Sequence, residues 1–412
     1  MKYAFVLGTN HSLCKVEIVN VLKNKNIKFE VVGASEEVLL LEIEGEATLD
    51  INDFGSTAKI IEIIKEIDYE QLTKEEIIGR DLEDWVDPTI KNLTYGISVY
   101  NGGGKFKQLN ELFYLSFKFS QKIKEELRSW GIKSGCLAIK ERALSTVSVN
   151  MNLLKKGGKE FVFISGQKNV WVGKTLSVQD YESYSTRDYG RPFRDDKSGM
   201  TPPKLAKMMI NLANKNKNSF IVDPFCGSGT FLGEMLLLGF NKVWGSDIST
   251  KAVGDSKKNL DWLIEEFGID KDKIDLQIEV EDATKIAKKI GNKQVGAIVC
   301  EPYLGSSKLR SFNERRIENE IKYIEDLYIK SFVEFKKILK DDGKIVIIFP
   351  VINYKGKGFY LNILEKIKEL GFHQNDYCEK QDRLGLNLSE RKTIVYYRPK
   401  QIVSREIIIF SL

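Results

Sequence analysis

The sequence predicts an α/β protein whose C-terminal half is a doubly wound Rossmann-like domain built on a mixed sheet of about seven strands, preceded by α+β modules. Two observations carry that expectation. From residue 219 onward, strand-length apolar runs alternate strictly with amphipathic helical patterns, as stacked βαβ units require. The first unit contains Phe220-Ile-Val-Asp-Pro-Phe-Cys-Gly-Ser-Gly-Thr-Phe-Leu232: an apolar strand ending on Asp223, a glycine turn at 227–229, and a helix opening at Thr230. Such a turn lets a small ligand approach the backbone with no Cβ in the way, and the helix start offers unpaired N–H groups.

The elements follow in order. Residues 1–95 read as a small α+β module, with strands at Tyr3–Leu7 and Val38–Ile43 and helical patterns at Lys15–Leu22 and Thr57–Ile67. Residues 96–180 form a second module: a strand at Gly96–Tyr100, an amphipathic helix near Leu112–Trp130, then strands at Ala143–Asn150, Glu160–Ile164 and Val170–Leu176. A connector over 181–218 contains the run Arg187 to Pro203, rich in Tyr, Arg and Pro, followed by a helix near Pro203–Ala213. The last module, 219–412, places strands at 220–223, 242–247, 275–280, 295–300 and 344–349. Helices are expected at 229–238, 250–266, 283–290, 314–339 and 358–370. Two final strands, near 373–379 and 393–397, are expected to close the sheet as an antiparallel hairpin.

A length of 412 residues suits two or three domains at roughly 150 residues each. The net charge of +5 permits nucleic-acid binding without demanding it, so the distribution of charge decides. Lysines and arginines crowd 105–159, including Lys105, Lys107, Lys118, Lys122, Arg128, Lys133, Lys140 and Arg142. Each alone reads as the solvated face of a helix; together they suggest a surface for a polyanion. The five cysteines show no CxxC spacing and only His11 and His373 could join them, so free thiols in a reducing compartment are expected, and no metal site. The apolar stretch Tyr3–Leu7 is too short for a signal peptide and the apolar runs are strand-sized, which points to a soluble, cytoplasmic protein without a membrane span.

Two nucleotide-binding signatures are excluded by spacing. Gly173-Lys-Thr175 resembles the end of a phosphate loop, but Lys168 occupies the place of the required first glycine; and the third position after Gly229 is Leu232, which breaks the dehydrogenase fingerprint. What remains is a set of strand-end acids. Asp247 ends the second strand 20 residues after Gly227, where a carboxylate can hold a ribose diol. Asp282 follows the third strand, where it serves either as an acceptor for an adenine amino group or as a helix cap. The fourth strand runs into Glu301-Pro-Tyr-Leu-Gly305, at the edge where ligands of open α/β sheets sit. An exocyclic amine is a poor nucleophile because its lone pair is delocalised into the ring; a carboxylate accepting its hydrogens localises that pair. Glu301 is the candidate acceptor, Pro302 shapes the turn, and Tyr303 offers a face for a base to stack upon. A capped βα loop with a packed tyrosine is the plainer alternative.

These residues resemble S-adenosylmethionine-dependent tRNA guanine-N2 methyltransferases of the archaeal and eukaryotic position-ten type. The likeness rests on Asp223–Thr230, on Glu301–Gly305 and on the connector Arg191-Pro-Phe-Arg…Met-Thr-Pro-Pro-Lys-Leu-Ala. The N-terminal run Phe5–Asn10 with Phe54–Ile60 is similar to the family's ferredoxin-like region, and Val170–Asp180 to the end of its THUMP domain. The resemblance implies a tRNA substrate and S-adenosylmethionine, with Asp223, Gly227 and Gly229 on the methionine part, Asp247 on the ribose and Asp282 on the adenine. It adds Phe225, Thr230, Ile248, Thr201 and Pro202 to the cofactor set, and Arg191 and Arg194 to the RNA-binding set, with Arg191–Pro203 packing over the cofactor and target base. Some members work with a small zinc-binding activator protein. The chain departs from the family in one place: Glu301 stands where the catalytic turn, usually Asp-Pro-Pro-Tyr, has aspartate, and Tyr303 and Leu304 take the next proline and aromatic places. Two alternatives stay open: a DNA amino-methyltransferase, and a non-catalytic paralogue that binds RNA and cofactor with an altered turn.

Overall fold

The structure, a computed structural model, describes residues 1–69, 72, 82, 83, 85–194, 200–292, 294–398 and 401–412. The chain divides into two compact units, one of Met1–Lys15, Asn26–Tyr181 and Asp382–Leu386, the other of Val16–Lys25, Glu182–Gln381 and Asn387–Leu412. Among the described residues no helix is long and apolar enough to cross a membrane.

The elements of the first part are β1 (Lys2–Val6), α1 (His11–Asn24), β2 (Phe29–Ala34), β3 (Val38–Ile43), β4 (Lys59–Asp68), β5 (Asn92–Asn101), α2 (Phe106–Ser129), β6 (Lys133–Cys136), α3 (Thr146–Asn152), β7 (Lys159–Ser165) and β8 (Asn169–Val178). Their strands form one eight-stranded sheet in the order β2-β3-β1-β4-β8-β7-β5-β6. The boundary expected at residue 95 therefore falls inside β5, and β4 joins the two sequence modules by pairing antiparallel with β8. Helix α2 buries Leu109, Leu112, Ser116, Phe119, Ile123 and Leu127, a single stripe at helical spacing, and Phe119 stacks on Phe163 of β7 with ring centroids 4.7 Å apart. Two expectations are corrected here. Residues 57–67, read as helical, supply the strand β4, and residues 143–150, read as a strand, supply the short helix α3, capped by Ser145.

The second part contains α4 (Tyr181–Tyr189), α5 (Pro203–Leu212), β9 (Phe220–Asp223), α6 (Thr230–Leu237), β10 (Lys242–Asp247), α7 (Thr250–Glu266), β11 (Asp275–Val280), α8 (Ala287–Ile290), β12 (Val295–Cys300), α9 (Glu314–Ile338), β13 (Leu339–Tyr354), β14 (Lys357–Phe359), α10 (Leu364–Glu369), β15 (His373–Gln374), β16 (Ile394–Tyr396) and β17 (Val403–Ser411). The sheet runs β11-β10-β9-β12-β13-β17-β15, seven strands along its path, with β14 attached to β13 and β16 to β17. Strands β11, β10, β9, β12 and β13 are parallel, and the order reverses between β9 and β12. Right-handed crossovers on the two sides of that reversal send the helices to opposite faces of the sheet. Helices α5, α6 and α7 accordingly pack together as one group, and α8, α9 and α10 as another.

The core beside α9 is aromatic: Phe332 meets Phe349, Phe372 and Phe410 edge-on. The C-terminal expectation is corrected in its connectivity. The closing partner of β13 is β17, a strand the sequence reading did not place; β15 and β16 each pair with β17 rather than with each other. The expected helix at 283–290 is reduced to α8, and 358–370 divides into the end of β14 and α10.

Candidate active site

Strands β9 and β12 end side by side at the reversal of strand order, so the turns that follow them face one crevice. After β9 the backbone closes tightly: the Gly229 N–H donates to the Cys226 carbonyl at 2.8 Å, and the Cys226 N–H to the Ser246 carbonyl of β10 at 2.8 Å. Gly227 and Gly229 hold φ of +51° and +89°, which only glycine adopts without strain. Gly229 also abuts α7, where a Cβ would lie 2.6 Å from Ser256 Oγ, whereas a Cβ on Gly227 would meet nothing within 4 Å. Gly229 is thus required by packing, and Gly227 leaves open space.

The strand-end acids surround this turn. Asp223 is fully buried; its Oδ1 accepts from the Phe225 N–H at 3.0 Å and its Oδ2 has no hydrogen-bond partner. Burial pushes the Asp223 carboxyl well above the ordinary aspartate value; the Phe225 N–H opposes the shift, and the charges of Asp247 and Glu301 add to it. Asp247 reaches back to the turn, accepting from the Gly227 N–H at 3.1 Å and from the Ser249 N–H at 2.9 Å. Beside it, Ile248 is 75% exposed, and Val280, in register with Asp247 at the end of β11, is 47% exposed. Asp282 accepts from the Thr284 N–H and hydroxyl at 2.9 and 2.8 Å, so it closes its own turn and does not cap α8, whose N-cap is Ile286. Partial burial raises its carboxyl, but the Thr284 bonds and Lys285 outweigh this and hold it below the usual value. Phe225 is half-buried at the entrance to the turn.

Helices behind the turn fix its position. Arg187 of α4 donates to Glu234 of α6 at 2.7 Å, both side chains buried, with its guanidinium 4.2 Å from the Tyr184 ring centroid. Arg191 is buried too; it donates to the Thr230 hydroxyl at 2.8 Å and to the Arg187 carbonyl at 3.0 Å. This corrects its assignment to RNA: an arginine spent inside has no surface to offer a phosphate, and the Thr230 hydroxyl is engaged with it. Asn259 of α7 grips the Phe193 N–H and C=O at 2.9 Å each and the Ser228 carbonyl at 2.9 Å. The start of the connector is therefore tied to the glycine turn. Its expected packing over the cofactor falls partly on 195–199, outside the described residues.

The turn after β12 is organised by Glu301. Its Oε1 accepts from Arg405 Nη2 at 3.0 Å, and its Oε2 from Arg405 Nε at 3.1 Å and from the Thr201 hydroxyl at 2.8 Å. Thr201, expected on the cofactor, instead holds the carboxylate; Pro202 beside it is buried as the N-cap of α5. Pro302 is buried, and the Tyr328 hydroxyl donates to the Ile348 carbonyl at 3.0 Å and to the Tyr303 carbonyl at 3.4 Å, bracing the turn from α9. Tyr303 is 42% exposed, donates to Glu320 at 2.8 Å and meets Tyr323 edge-on at 6.1 Å. Burial and then Glu320 push its phenol upward. Sequence reasoning missed Arg405, Asn259 and Tyr328. Asn259 and Tyr328 lie on helices rich in polar residues and Arg405 in a polar stretch before an apolar run, so nothing in the local sequence names their partners.

The basic residues of 105–159 lie in the other unit. Lys105, Lys107, Lys118, Arg128, Lys133 and Lys140 are exposed, and Lys122 is half-buried. Lys107 lies 3.9 Å from Glu111, and Arg142 pairs with Glu37 at 2.9 Å, which draws Arg142 away from the set. Arg194, in the connector, stacks over Tyr189 at 5.1 Å. A cavity of about 790 Å³, lined by Tyr360, Asn362, Glu365, Ser389 and Arg391 among others, has none of the strand-end acids in its wall.

Comparison with known proteins agrees with this geometry. The tRNA (guanine(10)-N2)-dimethyltransferase of Pyrococcus abyssi is 28% identical over 188 residues, which cover 44% of this chain and 48% of that protein. The enzyme of the same name from Methanocaldococcus jannaschii is 28% identical over 210 residues, 49% of this chain and 56% of that one. The chain thus matches about half the length of these relatives. The crystal structure of TrmN from Thermus thermophilus shares the fold, with a TM-score of 0.56 at 12% identity and 100% of both chains covered. Residues 191–353 match the family described as RMKL-like, methyltransferase domain, and this segment contains the glycine turn and all four strand-end acids. Over these residues the chain is similar to the RMKL-like methyltransferase domain family, and it is similar in sequence to tRNA (guanine(10)-N2)-dimethyltransferases.

Proposed function

We propose that this chain is a methyltransferase that uses S-adenosylmethionine to methylate the exocyclic N2 of a guanine in tRNA. The observation that carries the reading is the pairing of a buried, partnerless acceptor, Asp223 Oδ2, with open backbone at Gly227, opposite the Glu301 turn. A buried carboxylate oxygen without a partner calls for a cationic or donor ligand, and the amino group of the methionine part meets that need. Asp247 suits the ribose hydroxyls, Ile248 and Val280 the apolar faces of the adenine, and Asp282 its amino group. When bound, S-adenosylmethionine supplies an electrophilic methyl on a sulfonium.

The protein's share of the chemistry is acceptance and alignment. Glu301 Oε1 accepts a hydrogen of the guanine amine, so the nitrogen lone pair is directed out of the conjugated ring. Once the nitrogen has taken the methyl it is positively charged and carries two protons, and the same oxygen takes one of them to leave a neutral methylamine. The exposed face of Tyr303 offers a stacking surface for the extruded base. Residues 96–180, THUMP-like in sequence and following the ferredoxin-like 1–95, serve as the RNA-binding part through their exposed lysines. The tRNA substrate is supported by the names of the relatives, and the target nitrogen by the same names.

A second reading, cofactor and RNA binding without transfer, has one observation in its favour: both oxygens of Glu301 already accept bonds. Calorimetry with S-adenosylmethionine, combined with labelled-methyl transfer to bulk tRNA and mass spectrometry of the resulting nucleosides, separates the two. Transfer yielding N2-methylated guanosine supports the enzyme. Tight binding with no transfer to tRNA, with or without a small zinc-binding partner, supports the second reading.

A further inference from the structure

Glutamate has one more rotatable bond than aspartate, so at a catalytic turn its carboxylate must be held by something beyond its own backbone. In this chain Arg405 is that holder. Arg405 lies on β17 opposite Pro350 of β13, and its Nε and Nη2 form a two-pronged fork onto the two oxygens of Glu301 at 3.1 and 3.0 Å. The third nitrogen, Nη1, donates to Gln401 Oε1 at 3.0 Å, so the guanidinium plane is itself fixed. The side chains of Arg405 and Glu301 are 7% and 9% exposed. With the Thr201 hydroxyl on Oε2, three of the roughly four acceptor positions of a carboxylate are taken, and the one that remains is on Oε1.

We propose that Arg405 is a positioning residue for methyl transfer: its fork takes up the extra methylene of Glu301 and presents the remaining Oε1 lone pair to the target amine. The inference rests on Glu301 being the acceptor in the proposed reaction. A salt bridge that merely stapled β17 to the β12 turn would affect stability and leave the chemistry alone. A positioning fork acts on kcat, because a displacement of about 1 Å at the reacting centre costs on the order of 100-fold.

The test compares R405M, R405K and T201V with the unmutated full-length chain, measuring methyl transfer to bulk tRNA and cofactor affinity by calorimetry. Expected are a loss of about 100-fold in kcat for R405M, with KM for tRNA and Kd for S-adenosylmethionine within about twofold. R405K recovers part of the loss, since an ammonium reaches one oxygen without fixing the plane. R405K also decides the matter if R405M does not fold, since it keeps a positive charge on β17 without the fork: a several-fold drop in kcat at unchanged Kd supports the inference, an unchanged kcat overturns it, and T201V, which leaves the fork intact, gives the separate share of the third bond to Glu301. R405M with the kcat of the unmutated chain, or with its loss confined to KM, overturns the inference alone. Absence of transfer by the unmutated chain overturns it together with the functional reading.

Discussion

Asp223 and Glu301 are both strand-end carboxylates, yet their surroundings give them opposite needs. Asp223 is buried with an unpartnered oxygen and a carboxyl pushed upward, so the folded chain binds its proton more tightly than the unfolded chain does. Its contribution to stability is therefore fully present below the ordinary aspartate value of about 3.9 and is lost as pH rises through the folded value. Asp223→Asn, which cannot ionise, is expected to melt a few degrees higher than the unmutated chain at neutral pH, the difference closing toward acid pH. If Asp223 meets the cofactor amine as proposed, the same change removes that charge, and calorimetry should show S-adenosylmethionine affinity falling by about 10- to 100-fold. A substitution that raises Tm and lowers affinity marks a group kept for its ligand; a lowered Tm with unchanged affinity would remove Asp223 from the pocket. Glu301 already has partners, so Glu301→Gln keeps the volume and one acceptor oxygen while losing the charge and turning an amide NH2 toward a donor. Transfer is expected to fall at least about 100-fold with cofactor affinity changed less than about threefold, and a comparable loss in both would place Glu301 on the cofactor instead.

At the scale of elements, the parallel strands and the acids at their ends were legible because the evidence for them is local: an apolar run, a terminating acid, a glycine turn. Strand β4 was not. Lys59-Ile-Ile-Glu-Ile-Ile-Lys-Glu-Ile-Asp68 spaces its isoleucines as a helix would, because the pairing with β8 shifts register between Ile60 and Ile61 and between Ile63 and Lys65. Each shift breaks the strict alternation that identifies a strand. Strand β17 was hidden for a different reason. Its first half, Ser404-Arg405-Glu406, reads as a polar loop, yet all three residues are buried: Arg405 forks onto Glu301 and Glu406 accepts from Thr393 at 2.7 Å. Buried polar strands declare themselves only through partners distant in sequence. The seam β4–β8 contains another such group. The Lys59 ammonium donates to Glu160 of β7 at 2.6 Å, and Glu160 also accepts from Ser98 and Thr175. Glu160→Gln strands a buried ammonium, so it is expected to cost about 3–5 kcal/mol, read as a lowered urea midpoint with an unchanged slope. A change below about 1 kcal/mol would show that water reaches the pair.

At the scale of the whole molecule, net charge says little and its placement says more. The excess is only five charges in 412 residues, but the exposed lysines and arginine of α2 and β6 belong to one unit and the strand-end acids to the other. If the first unit holds tRNA by its phosphates, binding releases counterions, and affinity must fall linearly on a log–log plot against salt. Replacing Lys118, Arg128 and Lys133 together by alanine is then expected to weaken tRNA binding and to flatten that slope by roughly 0.7–0.9 for each phosphate contact removed. Cofactor affinity should stay the same, because none of the three lies in the unit that contains the strand-end acids. Filter binding at several salt concentrations measures the slope, and calorimetry the cofactor. A weaker affinity with an unaltered slope would mean that these side chains act through the fold of their own unit. An unaltered affinity would move RNA recognition to other surfaces of the chain.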